Sequence, residues 1–127
     1  MSRESAIQYW MGRDKACFVA ELEGEIVGTY HLRRNQAGGG AHVCNCGYMV
    51  APEARGHGVA RAMCEHSMET ARRQGFRAMQ FNFVVSTNVG AVRLWENLGF
   101  EIAGRLPCAF DSPSKGFVDA FVMFRTL

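Results

Sequence analysis

Val50-Ala51-Pro52-Glu53-Ala54-Arg55-Gly56-His57-Gly58-Val59-Ala60 decides how this chain is read. An apolar run from Val43 to Val50 leads into it, and a helical pattern leaves it. Between the two lies a Pro turn and a basic, glycine-containing loop. Gly56 and Gly58 let the backbone turn tightly with no side chain in the way. The first amides of the following helix have no intrahelical partner, and the helix dipole adds partial positive charge there. A diphosphate group fits such a cup, made by Gly56, His57, Gly58, Val59 and Ala60. Arg55 adds a permanent charge. The spacing is neither that of a P-loop nor that of a dinucleotide fingerprint. As plain turn residues the same glycines need no ligand, so the loop is read together with its flanks.

Downstream, Gly58 to Gln74 reads as a helix. Its apolar face is Ala60, Met63, Cys64, Ser67, Met68 and Ala71. Its polar face sets Arg61 against Glu65 and Glu69 against Arg73 at i,i+4. Phe76 to Val85 reads as a strand. Asn88 to Phe100 then forms a short helix, with Asn88 as N-cap, Ala91, Leu94, Trp95 and Leu98 on one face, and Gly99 as the stop. Upstream, Cys17 to Glu23 and Glu25 to Arg34 are two strands around a Gly24 turn, and His42 to Val50 is a third. Met1 to Trp10 reads as the end of a helix or a loose arm. Glu101 to Leu106 and Phe117 to Arg125 close the chain as strands, with a Pro-containing loop from Pro107 to Gly116 between them.

With the Arg55 loop and the Asn88 segment in place, the chain resembles the GNAT superfamily of N-acetyltransferases. That family's cofactor loop reads Gln/Arg-x-x-Gly-x-Gly/Ala, and Arg55-Gly56-His57-Gly58-Val59-Ala60 matches it. Its later element is matched by Asn88, Ala91, Leu94, Trp95, Gly99 and Phe100. The resemblance covers roughly Cys17 to Arg125. It implies an α+β fold of α/β/α-like layering, a mixed, twisted central sheet with helices packed on it, as one domain over residues 1–127. It also implies that much of the family's N-terminal strand and helices is lacking. The Cys17 strand would then be an open edge, which favours pairing with a second copy as a homodimer.

The resemblance further implies acetyl-coenzyme A as cofactor and direct attack of an acceptor amine on the thioester. The amides of Gly56 to Ala60 would hold the diphosphate. The backbone of Tyr48, Met49 and Val50 would pair with the pantetheine arm, and Asn88 would bond to it, besides capping its helix. Many family members carry a Tyr acid where this chain has Trp95. Indole has no useful pKa, so Trp95 is read as core and the proton falls to Tyr48 or to water. His31, His42, Glu21 and Glu23 are the candidate bases. Asp119 is either a buried functional carboxylate or the partner of an Arg.

Asn45 and Asn82 stand in apolar strands, where Asn is depleted. A buried amide without partners costs about 1–3 kcal/mol. The text around them, His42-Val43-Cys44-Asn45-Cys46-Gly47-Tyr48 and Phe81-Asn82-Phe83, is similar to the fungal and bacterial azetidine-2-carboxylate (proline-analogue) N-acetyltransferases. That resemblance implies that the two amides grip a small amino or imino acid where two strands splay. The alternative is a pair of structural asparagines bonded to backbone. A peptide or antibiotic amine as acceptor, a non-catalytic acyl-coenzyme A-binding module and a purely structural subunit are the competing readings.

Composition bounds the rest. The chain has 127 residues and a net charge of +2, too mild to imply nucleic acid. No apolar run approaches the ~20 residues of a membrane span. Five cysteines are an odd number without a dense framework, so reduced thiols in a cytoplasm are expected. His42, Cys44 and Cys46 alternate, yet match no zinc spacing, and no metal is expected.

Overall fold

The structure, a computed structural model, describes the backbone of residues 5–11, 16–56 and 58–127 and the side chains of 17–56 and 58–127. Seven strands among these residues form one mixed sheet. In chain order the elements are β1 (Ser5–Met11), β2 (Ala16–Leu22), β3 (Glu25–Arg34), β4 (Val43–Val50), α1 (Val59–Arg73), β5 (Ala78–Val85), α2 (Val89–Asn97), β6 (Glu101–Ser112) and β7 (Gly116–Thr126). Short 3₁₀ turns occupy Gly38–Gly40 and Pro52–Ala54. The strand order is β1-β2-β3-β4-β5-β7-β6. Strands β1 to β4 form an antiparallel meander, β4 and β5 are parallel, and β7 returns antiparallel between β5 and β6. The parallel pair is possible because α1 carries the chain back along the sheet, as a parallel connection requires.

The core lies on one face. Phe18, Tyr30, Leu32, Cys44, Cys46, Met79, Phe81 and Met123 of the sheet bury against Met63, Cys64, Met68 and Ala71 of α1 and Trp95 of α2. Each large apolar side chain buried this way contributes about 1.5–3 kcal/mol relative to exposure. The helical face expected for α1 is the buried one: Met63, Cys64, Ser67, Met68 and Ala71. Ser67 is fully buried, and its hydroxyl donates to the Cys64 carbonyl at 2.7 Å. The expected surface pairs form, Arg61–Glu65 at 3.7 Å and Arg73–Glu69 at 3.3 Å, and such exposed pairs contribute little.

Two local expectations are corrected. Ser5–Met11 is neither a helix end nor an arm but a strand, in register with β2 from Ser5↔Leu22 to Met11↔Ala16. A bare β2 would leave a row of backbone groups unpaired, and β1 fills it. The Cys17 strand is therefore not an edge, and the homodimer argument built on it falls. The Pro107–Gly116 loop is mostly strand, since β6 runs through Pro107 to Ser112 and turns directly into β7. An edge strand tolerates Pro because no neighbour needs its missing N–H. The pairing shifts register between Leu106 and Phe110, where Cys108 takes φ 52°. No helix among the described residues is long and apolar enough to cross a membrane.

Candidate active site

The loop after β4 is built as an anion cup. Ala51 N–H closes the sheet on Val27 C=O at 2.8 Å, and Pro52–Ala54 make one tight turn. Gly56 and Gly58 follow at φ 85° and 76°, where a side chain strains the backbone. The first helical bond runs from Ala62 N–H to Gly58 C=O. The amides of Val59, Ala60 and Arg61 thus have no helical acceptor. No acidic residue sits in the first turn, so the dipole's positive end is not neutralised. Arg55 is exposed and carries no ion pair among the described residues. A Cβ placed on Gly56 or Gly58 would meet nothing within 4 Å, so the cup is open. The loop residues Arg55, Gly56, Gly58, Val59 and Ala60 thus come together in a form that fits a diphosphate. His57 lies outside the described residues.

Beside the cup the sheet splits. β4 and β5 pair only from Val43↔Ala78 to Asn45↔Gln80, although β4 runs on to Val50 and β5 to Val85. The backbone direction along β4 follows from its flanking bonds. His42 C=O accepts from Arg77 N–H at 2.8 Å, towards β5, while Val43 C=O accepts from Asn35 N–H at 2.9 Å, towards β3. Alternation then turns the N–H and C=O of Tyr48 and Val50 into the gap, past the last pair with β5. Such orphan strand groups are a template for an extended ligand. Met49 is the correction: its backbone faces β3, paired with Thr29, and its side chain is 73% exposed. Asn88 caps α2, its Oδ1 accepting from Ala91 N–H at 3.3 Å, which leaves its Nδ2 protons for another partner.

The floor of the fork is aromatic. Tyr48 packs on Trp95 with ring centroids 5.1 Å apart and on Phe81 at 5.6 Å. Trp95 is 7% exposed, a core residue as expected. The Tyr48 hydroxyl meets Ser67 Oγ at 2.6 Å and reaches towards Met79 Sδ at 3.8 Å. Burial holds its pKa well above the ordinary phenol value. The hydroxyl thus lies beneath α1, and the ring forms part of the floor of the fork. Cys44 and Cys46 belong to the same core, and burial pushes the Cys44 thiol up to about 12.

The opposite face of the sheet carries the polar residues. Strand partners bring Arg33 opposite Asn45 and His31 opposite Gly47, and Asn45 beside Gln80. Asn82 is exposed rather than buried. It lies in a bulge, since the β5–β7 register shifts between Phe81 and Val84, and bulges re-aim side chains. Its Nδ2 donates to Asn35 Oδ1 at 2.9 Å, and its Oδ1 accepts from Gln80 Nε2 at 2.8 Å. These partners are side chains, whereas the structural alternative expected backbone.

Of the four candidate bases, His31 alone stands beside the fork. A Cβ on Gly47 would lie 2.6 Å from His31 Cε1 and 3.1 Å from Nε2, so the imidazole rests directly on that glycine. His42 is exposed and precedes β4 at its paired end. Glu23 sits in the β2–β3 turn with φ 54°, which breaks the alternation expected to align it with Glu21. Asp119 binds Arg105 at 3.4 Å and accepts from Cys108 N–H at 3.0 Å, which makes it a hairpin brace. Sequence reasoning missed Arg33, Asn35, Gly47 and Gln80. A glycine inside a strand signals close approach, and Gln80 shares a strand face with Asn82 by i,i+2 spacing.

Comparisons with known proteins place the fold. The sequence profile of the acetyltransferase (GNAT) family matches residues 2–100. The N-acetyltransferase aca1 of Schizosaccharomyces pombe is 33% identical over 110 residues, 86% of this chain and 53% of its own length. The chain thus spans about half of that relative. A GCN5-related N-acetyltransferase from Kribbella flavida superposes with a TM-score of 0.87 at 45% identity, over 91% of this chain and 70% of that one. The structure of yncA, a putative acetyltransferase from Salmonella typhimurium with its cofactor acetyl-CoA, shares the fold at 23% identity and a TM-score of 0.79, over 89% of this chain and 65% of that one. On a profile match across most of its length and a fold shared with those structures, this chain belongs to the acetyltransferase (GNAT) family.

Proposed function

We propose that this chain is an N-acetyltransferase that uses acetyl-coenzyme A and acetylates the amine of a small amino or imino acid. The observation that carries it is the fork: an open strand edge leads from an anion cup to the point where β4 and β5 part, and the polar face begins there. Acetyl-coenzyme A, when bound, supplies an acyl group activated as a thioester. The chain's own residues do the rest. The amides of Val59 and Ala60, with Arg55, hold the diphosphate. The edges of Tyr48 and Val50 align the pantetheine arm, and an N–H there polarises the reacting carbonyl. Asn45 and Asn82 position the acceptor at the end of the fork, and positioning of this kind supplies several kcal/mol. His31 takes the amine proton at an imidazole nitrogen, a group whose ordinary pKa lies near neutrality. The similarity to the azetidine-2-carboxylate group favours an imino acid among the acceptors, and five free thiols accord with a cytoplasmic setting.

Thiol release from acetyl-coenzyme A across imino acids, amino acids, polyamines and peptides tests this. Turnover with a small imino or amino acid is expected, at least 100-fold lower in Asn45→Ala or Asn82→Ala with cofactor binding retained. Tight cofactor binding with no turnover on any amine would replace the enzyme by an acyl-coenzyme A-binding module.

A further inference from the structure

The polar face has a polarity of its own. Arg33, Asn45 and Gln80 form a row across β3, β4 and β5, with neighbouring strands about 4.8 Å apart. Asn35 and Asn82 join the row through the two side-chain bonds described above. The direction of those bonds matters. Gln80 donates to Asn82, which donates to Asn35, so among the described residues the chain of amides ends in an unused acceptor at Gln80 Oε1 and unused donors at Asn35 Nδ2. Arg33 lies near the end of β3, and Asn35, at the donor end of the relay, follows two residues later, just past the strand. It is exposed, and among the described residues it has no ion pair. Among the described residues the row holds no carboxylate. Its register runs on through Phe124 to Glu101, four strands and about 19 Å from Arg33, too far to satisfy it across a screening solvent.

A molecule lying along this row meets an acceptor on the fork side and a cation with amide donors on the β3 side. An amine at the first and a carboxylate at the second is the pattern of an α-amino or α-imino acid. We propose that Arg33 binds the carboxylate of the acceptor and that the Gln80–Asn82–Asn35 relay orients its amine, so that the site selects amino and imino acids over their amides and over simple amines. This rests on the acetyltransferase reading and deepens it. Arg33 and Gln80 are both binding residues here, and Gln80 also holds Asn82 in place.

The test measures kcat and KM on three matched acceptors: azetidine-2-carboxylic acid, its carboxamide, and azetidine. A charge-assisted bond to a carboxylate predicts a preference of about 10- to 100-fold for the acid. Arg33→Gln should raise KM for the acid by about that factor, leave kcat within about threefold, and leave the carboxamide unchanged. Arg33→Lys should recover part of the preference. Gln80→Leu should lower kcat/KM for the acid and the carboxamide alike, since it removes the acceptor for the amine and frees Asn82 to turn. Thermal melting of each variant controls for folding, and Arg33 is exposed. Equal use of acid, amide and amine by the wild type would overturn the proposal while leaving an acetyltransferase. So would an Arg33→Gln loss shared equally by all three, or a preference for polyamines or peptides. No turnover on any amine would instead defeat the acetyltransferase reading itself, and this assignment with it.

Discussion

Tyr48→Phe separates a structural phenol from a catalytic one. Ser67 Oγ lies 2.7 Å from the Cys64 carbonyl and 2.6 Å from the Tyr48 hydroxyl, and the arrangement that fills both contacts has Tyr48 donate to Ser67 and Ser67 to the carbonyl. Removing the Tyr48 hydroxyl takes away a buried donor and leaves Ser67 with its own donation intact. Only an acceptor lone pair goes unfilled, which places the cost low in the usual range, about 1–2 kcal/mol. The ring remains, so its packing on Trp95 and Phe81 persists. For a domain of this size, 1 kcal/mol corresponds to about 4 °C in Tm. The expected variant therefore melts about 4–8 °C lower, while kcat stays within about threefold and the pH–rate profile keeps its shape. Calorimetry and thiol-release kinetics on the same preparation read both quantities. A loss of kcat above about 100-fold with Tm unchanged would refute the reasoning and restore Tyr48 as the acid for the leaving thiolate.

Three further outcomes are expected. Gly47→Ala would set a methyl 2.6 Å from His31 Cε1 and drive the ring off its seat; kcat should fall about 100-fold or more, with no further loss when combined with His31→Ala, a double-mutant cycle that an additive result would contradict. Arg55→Gln should weaken coenzyme A binding about tenfold by calorimetry and flatten its salt dependence; unchanged affinity would remove Arg55 from the cup. His66 shares a 2.6 Å hydrogen bond with the Tyr30 hydroxyl, and burial, helped by Arg73, lowers its pKa below the ordinary 6.5. The unfolded chain then binds this proton more readily, so stability is full above pH 6.5 and declines as pH falls below it towards the depressed value. Melting curves between pH 8 and about pH 5 should show that slope, and His66→Gln should reduce it.

Much of this protein is legible from short stretches of sequence, because the physics there is local. The spacing of Met63, Cys64, Ser67, Met68 and Ala71 marks one face of α1 whatever packs on it. Gly56 and Gly58 before a helix, and Asn88 at the start of the next, are conformational and capping signals carried by single residues. Order along the chain then suffices for the sheet, the crossover and the family. What stays hidden depends on which strands meet. Ser5–Met11 becomes a strand only because β2 offers it an edge, and Pro107 is tolerated in β6 because β6 is the edge strand of the described sheet. Met49 faces away from the gap and Tyr48 towards it by register alone, a one-residue distinction that composition does not carry. Asn45 and Asn82 stand out in the sequence as amides in apolar strands, but Arg33, Asn35 and Gln80 read as ordinary strand or loop residues, and the five come from three separate parts of the chain. Sequence by itself determined both helices, the central strands and the glycine loop between β4 and α1, since these depend on neighbours a few residues apart. Tertiary structure decided the fork, the seat of His31 on Gly47 and the polar row, since those depend on pairing between strands distant in sequence.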